Sequence, residues 1–206
     1  MEFKSADPSI VRNIVQRVLL NAWLRAARKH QPLPLLVDFE PGDISGELPD
    51  MMGYDVESDG DEARFVIKQE GARLTATYGN EHIDPARRTN RYLHDAIGAK
   101  RYARVVPSYL ACVRHCRPIY SVSTVQDADG KDVSYERLLL PFGFANRVEH
   151  IVGSFKAISL EGGFKVNNLM GLQSRSVPLI QIQAVIDHAI APTPAAPRAT
   201  DDVVEL

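Results

Sequence analysis

YERLLLPFGFANRVEHIVGSF, residues Tyr135–Phe155, holds two apolar runs separated by a short polar break. Pro141 and Gly143 stand near that break, and a Glu136–Arg137 pair stands at the front. Two runs around one break predict a hairpin of two strands. Successive side chains of a strand take opposite faces, so Glu136 and Arg137 cannot form a catalytic pair with each other. Glu136 instead shares a face with Leu138, Leu140 and Phe142. A carboxylate placed there is either an edge-of-core group bonded to a neighbour or an acid enclosed in a cavity.

Outward from the hairpin, IYSVSTVQ (119–126) and the turn DADGKD (127–132) predict a further strand running into it. HIVGSFKAISL continues the hairpin's second strand to residue 160. Residues 84–116 change to helical spacing. Tyr102, Val105, Val106, Tyr109, Val113 and Cys116 fall on one side, with Arg101, Arg104, Ser108 and His115 on the other. Pro107 is expected to kink or restart that helix. Earlier still, period-two alternation predicts strands over 62–69 and 72–78, with turn signals at SDGD (58–61) and EG (70–71).

The first element is a predicted helix. Asp7 suits its cap, Pro8 its first turn, and Pro32 and Pro34 stop it after about Lys29. Val11, Ile14, Val15, Val18, Ala22 and Ala26 form its apolar stripe, to be covered by its own domain or by a twin helix in a dimer. Between helix and strands, 31–50 is irregular, with a short helix over 42–48. Beyond the hairpin, VPLIQIQAVIDHAIA (177–191) is read as a helix started by Pro178, and the proline- and alanine-rich 192–206 as disordered. The organisation expected is thus an N-terminal helix (1–31), a domain over 32–160, a C-terminal extension (161–191) and a tail (192–206). The fold class is α+β, with one antiparallel sheet and central helices on one of its faces.

Composition narrows the classes of function. The 206 residues allow one ordinary domain with extensions, and 45% apolar with 24% charged residues suits a soluble globule. A net charge of −2 makes no demand for nucleic acid. No stretch reaches the roughly 18 apolar residues of a membrane span, and MEFKSADPS lacks the apolar core of a secretion signal. A cytoplasmic protein is the expectation. Cys112 and Cys116 are too few for a disulfide scaffold.

Trp23, LPLLVDFEPGDISGELPDM (33–51), GARLTATYGNEH (71–82), YERLLLPF (135–142) and HIVGSF (150–155) together resemble a bacterial PAS-domain family of mostly stand-alone proteins, formerly a domain of unknown function. The resemblance covers about residues 20–160, and the order strand, strand, helices, strand, strand, strand over about 110 residues is similar to a PAS domain as well. GNEHID departs from the family, which more often reads glycine, acidic residue, threonine, glycine at that point. The resemblance implies a dimeric sensory or interaction module whose sheet and central helices enclose a cavity, with no enzymatic activity.

Other chemistry is weighed residue by residue. Cys112, His115 and Cys116 share helical spacing with metal ligands, yet a fourth ligand is not near in sequence, and two core cysteines with a surface histidine explain the segment. Haem through His94 or His115 is considered and disfavoured, with His82 placed in a loop, so the cofactor is left unknown. DADGKD has its glycine fourth, where a calcium loop needs it sixth. No HExxH, GxSxG, Walker or GxGxxG motif occurs. Arg87, Arg88, Arg91, Lys100, Arg101 and Arg104 crowd one region, either a solvated helix face or a dock for an acidic partner.

The function expected is a regulatory PAS module, homodimeric through its N-terminal helix and sheet, passing its signal to a protein partner. Tyr78, Tyr102, Val106, Tyr109, Phe142 and Glu136 are its candidate ligand-binding residues. A structural adaptor with a filled core is the alternative, and a small-ligand enzyme using Glu136 as base stands third.

Overall fold

The computed structural model describes residues 2–29, 32–58, 60–74, 89–165, 169 and 178–187. The elements are β1 (Lys4–Ala6), α1 (Ile14–Ala27), β2 (Met51–Glu57), β3 (Arg64–Glu70), β4 (Arg91–Tyr92), α2 (Leu93–His115), β5 (Ile119–Gln126), β6 (Asp132–Phe144), β7 (Arg147–Ser159) and β8 (Leu179–Ile186). This is an α+β fold built on one eight-stranded sheet in the order β1-β8-β5-β6-β7-β2-β3-β4. Its neighbours pair antiparallel except β1 with β8. Helices pack on both faces: the central helix α2 covers one, and the N-terminal helix α1 the other.

The hairpin that opened the sequence reading is β6–β7, at the centre of the sheet. Residues 133–143 are buried on both faces, which is why the run reads almost continuously apolar. Odd-numbered Val133, Tyr135 and Leu139 face α2, while even-numbered Leu138, Leu140 and Phe142 face α1. Ala145 closes the hairpin with positive φ, and the register shifts between Phe142 and Gly143.

Helix α1 begins later than predicted. Asp7 does cap Pro8, by accepting from the Ser9 N–H at 2.8 Å, but the turn it caps is a single 3-10 turn, Pro8–Ile10. Asn13 caps the α-helix itself through the N–H groups of Val15 and Gln16. The predicted stripe is met in part: Val11, Ala22 and Ala26 are buried, whereas Ile14 is 73% exposed and Val18 is also exposed, and Leu19, Leu20, Trp23 and Ala27 complete the buried side. Trp23 lies fully buried and donates its indole N–H to the Pro141 carbonyl at 2.6 Å. Gln16, also enclosed, donates to the Ser154 carbonyl at 3.0 Å.

Four further expectations are corrected. The strand placed over 72–78 is a helical turn at 72–74, the rest lying outside the described residues. Gly71 is packed so closely on Pro49 that an added Cβ would overlap that carbonyl oxygen, and Arg73 is drawn onto Asp50 (2.8 Å) and the Gly46 carbonyl (3.0 Å). Strand pairing stops there. β3 pairs instead with β2 on one side, beyond the 3-10 turn Gly60–Glu62, and with β4 on the other. Within 42–48 there is no α-helix: 42–44 are irregular, and a turn at 45–47 leads into the 3-10 turn Leu48–Asp50. The helical axis of α2 breaks at Gly98, which has φ 74° and ψ 157°, and not at Pro107. Finally, residues 179–186 form a strand, because β5 and β1 flank them with free edges: the parallel pairs Lys4–Ala184, Ser5–Val185 and Ala6–Ile186 lie on one side. The segments read as extensions thus supply β1, α1 and β8 to the same layered body, while the tail 192–206 lies outside the described residues.

The turn between β5 and β6 is tied by Asp127. Its carboxylate accepts the N–H groups of Lys165 (3.0 Å), Lys131 (2.9 Å) and Asp129 (2.9 Å). These bonds, that from Lys165 first, hold its carboxyl below the usual range against the opposing effect of burial. A carboxyl depressed on folding stabilises the protein above its unfolded pKa, and that contribution is lost as pH falls through the lower folded value. Acid melts should therefore show a loss of stability beginning below about pH 4, and Asp127→Asn should reduce that slope while lowering stability at neutral pH. An unchanged acid slope in the variant would refute the assignment.

Candidate functional site

The region between α2 and the sheet is apolar with a polar enclave inside it. Strands β2 and β3 bring in Tyr54, Met52, Phe65 and Ile67, and β5, β6 and β7 bring in Val125, Tyr135, Leu139, Ile151 and Phe155. From α2, Val105, Tyr109, Cys112 and Val113 close over them. The Tyr54 and Tyr109 hydroxyls lie 2.9 Å apart, and the Tyr54 hydroxyl also reaches Met52 Sδ at 3.0 Å. Their rings meet edge-on with centroids 5.2 Å apart.

The second part of the enclave centres on Arg137, which is only 8% exposed. Its guanidinium donates to Ser108 Oγ at 3.4 Å and lies 5.9 Å from the centre of the Phe155 ring. Arg101, two helical turns before Ser108, is buried as well, as is Tyr135, tilted against Phe155. Arg101 and Ser108 had been placed on the solvent side of the helix. They are interior because the buried face of the helix runs through Arg101, Val105, Ser108 and Cys112, spaced i, i+4, i+7 and i+11. The sequence signal for Arg137 was present: it alternates in register with Tyr135 and Leu139, on the face opposite Glu136.

Of the candidate ligand-binding residues, Tyr102, Val106 and Tyr109 come together on α2, Tyr109 fully enclosed and the other two half-buried at the margin of the same cluster. Burial raises the Tyr102 phenol above its ordinary pKa. Phe142 and Glu136 are not part of this interior. They lie on the other face, under α1, because even-numbered residues of β6 point that way. Phe142 packs edge-on against Phe39 with centroids 5.1 Å apart. Glu136, 2% exposed, accepts the Tyr120 hydroxyl at 2.8 Å, and the Tyr120 oxygen accepts the Arg12 N–H at 3.2 Å. Burial first, and the Glu136 bond after it, raise the Tyr120 phenol strongly. The bond from Arg12 ties the residue just before the cap of α1 to the sheet. Tyr78 lies outside the described residues.

The histidines and cysteines are equally well placed. His94 and His115 are exposed; His94 pairs with Asp95 at 3.0 Å and stacks beside Tyr92. Burial, then Arg114 and Arg117, lower the His115 imidazole. Cys112 is enclosed and its thiol pushed well up by burial, while Cys116 ends α2 in the left-handed region with φ 50°. His82, Arg87 and Arg88 lie outside the described residues. The rest of the basic segment does not form one face: Arg91 pairs with Glu70 at 3.1 Å, Arg101 is interior, and Lys100 is exposed. Among the described residues no helix is long and apolar enough to cross a membrane, and no group of three metal-ligating side chains occurs.

No protein-family model, curated protein or solved structure matches the chain.

Proposed function

We propose that the protein is a PAS-like regulatory module that holds a small ligand between α2 and the sheet and signals by contact with a second copy or a protein partner. Support comes first from chain order: β2, β3, helix, β5, β6, β7, with the β2–β3 pair joined to the last of these strands, β7. The observation that carries the ligand reading is the enclave itself. Arg137, Ser108, Tyr135, Tyr54 and Tyr109 set a few polar side chains within an otherwise apolar interior, the mixture of apolar lining and sparse polar groups that small-molecule sites have. Such a lining suits a compact ligand with an apolar body and a hydrogen-bond acceptor. Glu136 has no place in it, being bonded to Tyr120 on the other face.

The adaptor reading has its own support. An added Cβ at Gly153 would meet the Phe155 ring at 2.8 Å and Leu139 at 3.3 Å, so this part of the interior is closely filled. Native mass spectrometry of freshly purified protein separates the two. A ligand is expected as extra mass on the folded chain, lost on denaturation. A bare chain in repeated preparations would leave the adaptor reading standing and overturn the ligand.

A further inference from the structure

The two edges of the sheet are finished differently. At one, β4 is two residues long and its surroundings are charged: Arg91 pairs with Glu70, the Tyr92 hydroxyl donates to Glu57 at 2.8 Å, and Arg64 lies over the Tyr92 ring. A short, charged strand discourages further pairing. At the other edge, β1 covers β8 only at Ala184, Val185 and Ile186. Along Leu179–Gln183 the outer side of β8 has no strand beside it among the described residues. This stretch reads LIQIQ and carries no charge; Leu179 is 67% exposed and Ile180 46%. Among the described residues it is a β-edge without the usual protection.

We infer that this edge is where a second copy of the chain docks, β8 pairing antiparallel with β8 about a two-fold axis. The inference rests on the homodimer reading above and moves the contact away from α1. Charge favours this occupant: an uncharged strand can lie against itself with no like-charge contact. Geometry limits it. Pro178 stands at one end of the free stretch and β1 at the other, so one strand fits and the two-fold closes the assembly at two copies. The exposed side chains of Leu179 and Ile180, on opposite faces of the strand, add apolar area at the edge. A single short strand falls below the roughly 800 Å² per partner of a standard interface. The dimer is therefore weak and concentration-dependent.

Sedimentation velocity over a wide concentration range tests this on the full chain, with Ile180→Lys on the edge and Val18→Lys on the exposed side of α1. Both side chains are exposed, so both variants should fold, which an unchanged thermal melt checks. Wild type should pass from monomer to dimer; Ile180→Lys should weaken dimerisation by about tenfold or more, and Val18→Lys should not. A dimer weakened only by Val18→Lys would overturn the edge while keeping the homodimer. A monomer throughout would overturn both. Hydrogen exchange adds an independent readout: the 179–183 amides should gain protection with concentration. Protection at every concentration would instead assign the edge to the chain's own remaining residues and overturn the proposal.

Discussion

A chain lacking residues 2–29 should fail to fold, giving a disordered circular dichroism spectrum and no cooperative melt. Helix α1 is not an arm laid on a finished domain. Leu19, Leu20 and Trp23 are buried against Tyr120, Leu138, Leu140 and Phe142, so deletion strips one face of the central strand. Each of those three side chains contributes roughly 1.5–3 kcal/mol by burial, and a domain of this size has only about 5–15 kcal/mol in total. The deletion also removes β1 from the sheet edge and the Trp23–Pro141 hydrogen bond. Trp23→Ala alone should cost about 3–5 kcal/mol in chemical denaturation. A truncated chain that melts cooperatively would show instead that α1 is dispensable, as a dimerisation arm would be.

Gly143→Ala should be nearly as damaging, for a different reason. At the shift of register between β6 and β7, an added Cβ would overlap the Arg147 carbonyl oxygen and lie 3.0 Å from the Glu149 nitrogen. Both are backbone atoms of the partner strand, and the Gly143 N–H is itself committed to the Pro34 carbonyl at 3.0 Å. Nothing nearby can yield by turning a side chain, so the cost should sit at or above the upper end of the usual overpacking range, about 3 kcal/mol. Gly153→Ala is the control: its Cβ meets side-chain atoms of Phe155 and Leu139, which can move, and its loss of stability should be smaller. Urea midpoints of the two variants decide, and equal losses would refute the backbone argument.

How much of this was legible varies by element. The three strands β5, β6 and β7 were read correctly because alternation and turn residues are local signals. Helix α1 was foreseen, and its buried side in part: Val11, Ala22 and Ala26 were on the predicted stripe, but only packing on β6 selected Leu19, Leu20 and Trp23 over Ile14 and Val18. β8 was misread because LIQIQAVI fits both periods and Pro178 suits a helix start; the edge of β5 settled the matter. Helical spacing placed Tyr102, Val106 and Tyr109 on one side of the helix, and they do meet in one apolar cluster. Arg137 and Ser108 were missed because charge and polarity argue for the surface until a structure encloses them.

By itself the sequence determined which side chains travel together: Glu136 with Leu138, Leu140 and Phe142, and Tyr135 with Arg137 and Leu139. That follows from backbone geometry within one strand. Only the tertiary structure decided that the first set lies under α1 and the second under α2, separating Glu136 and Phe142 from the interior they were expected to line. The physical reason is that burial belongs to pairs of elements distant in the chain, and no local period records which partner covers which face.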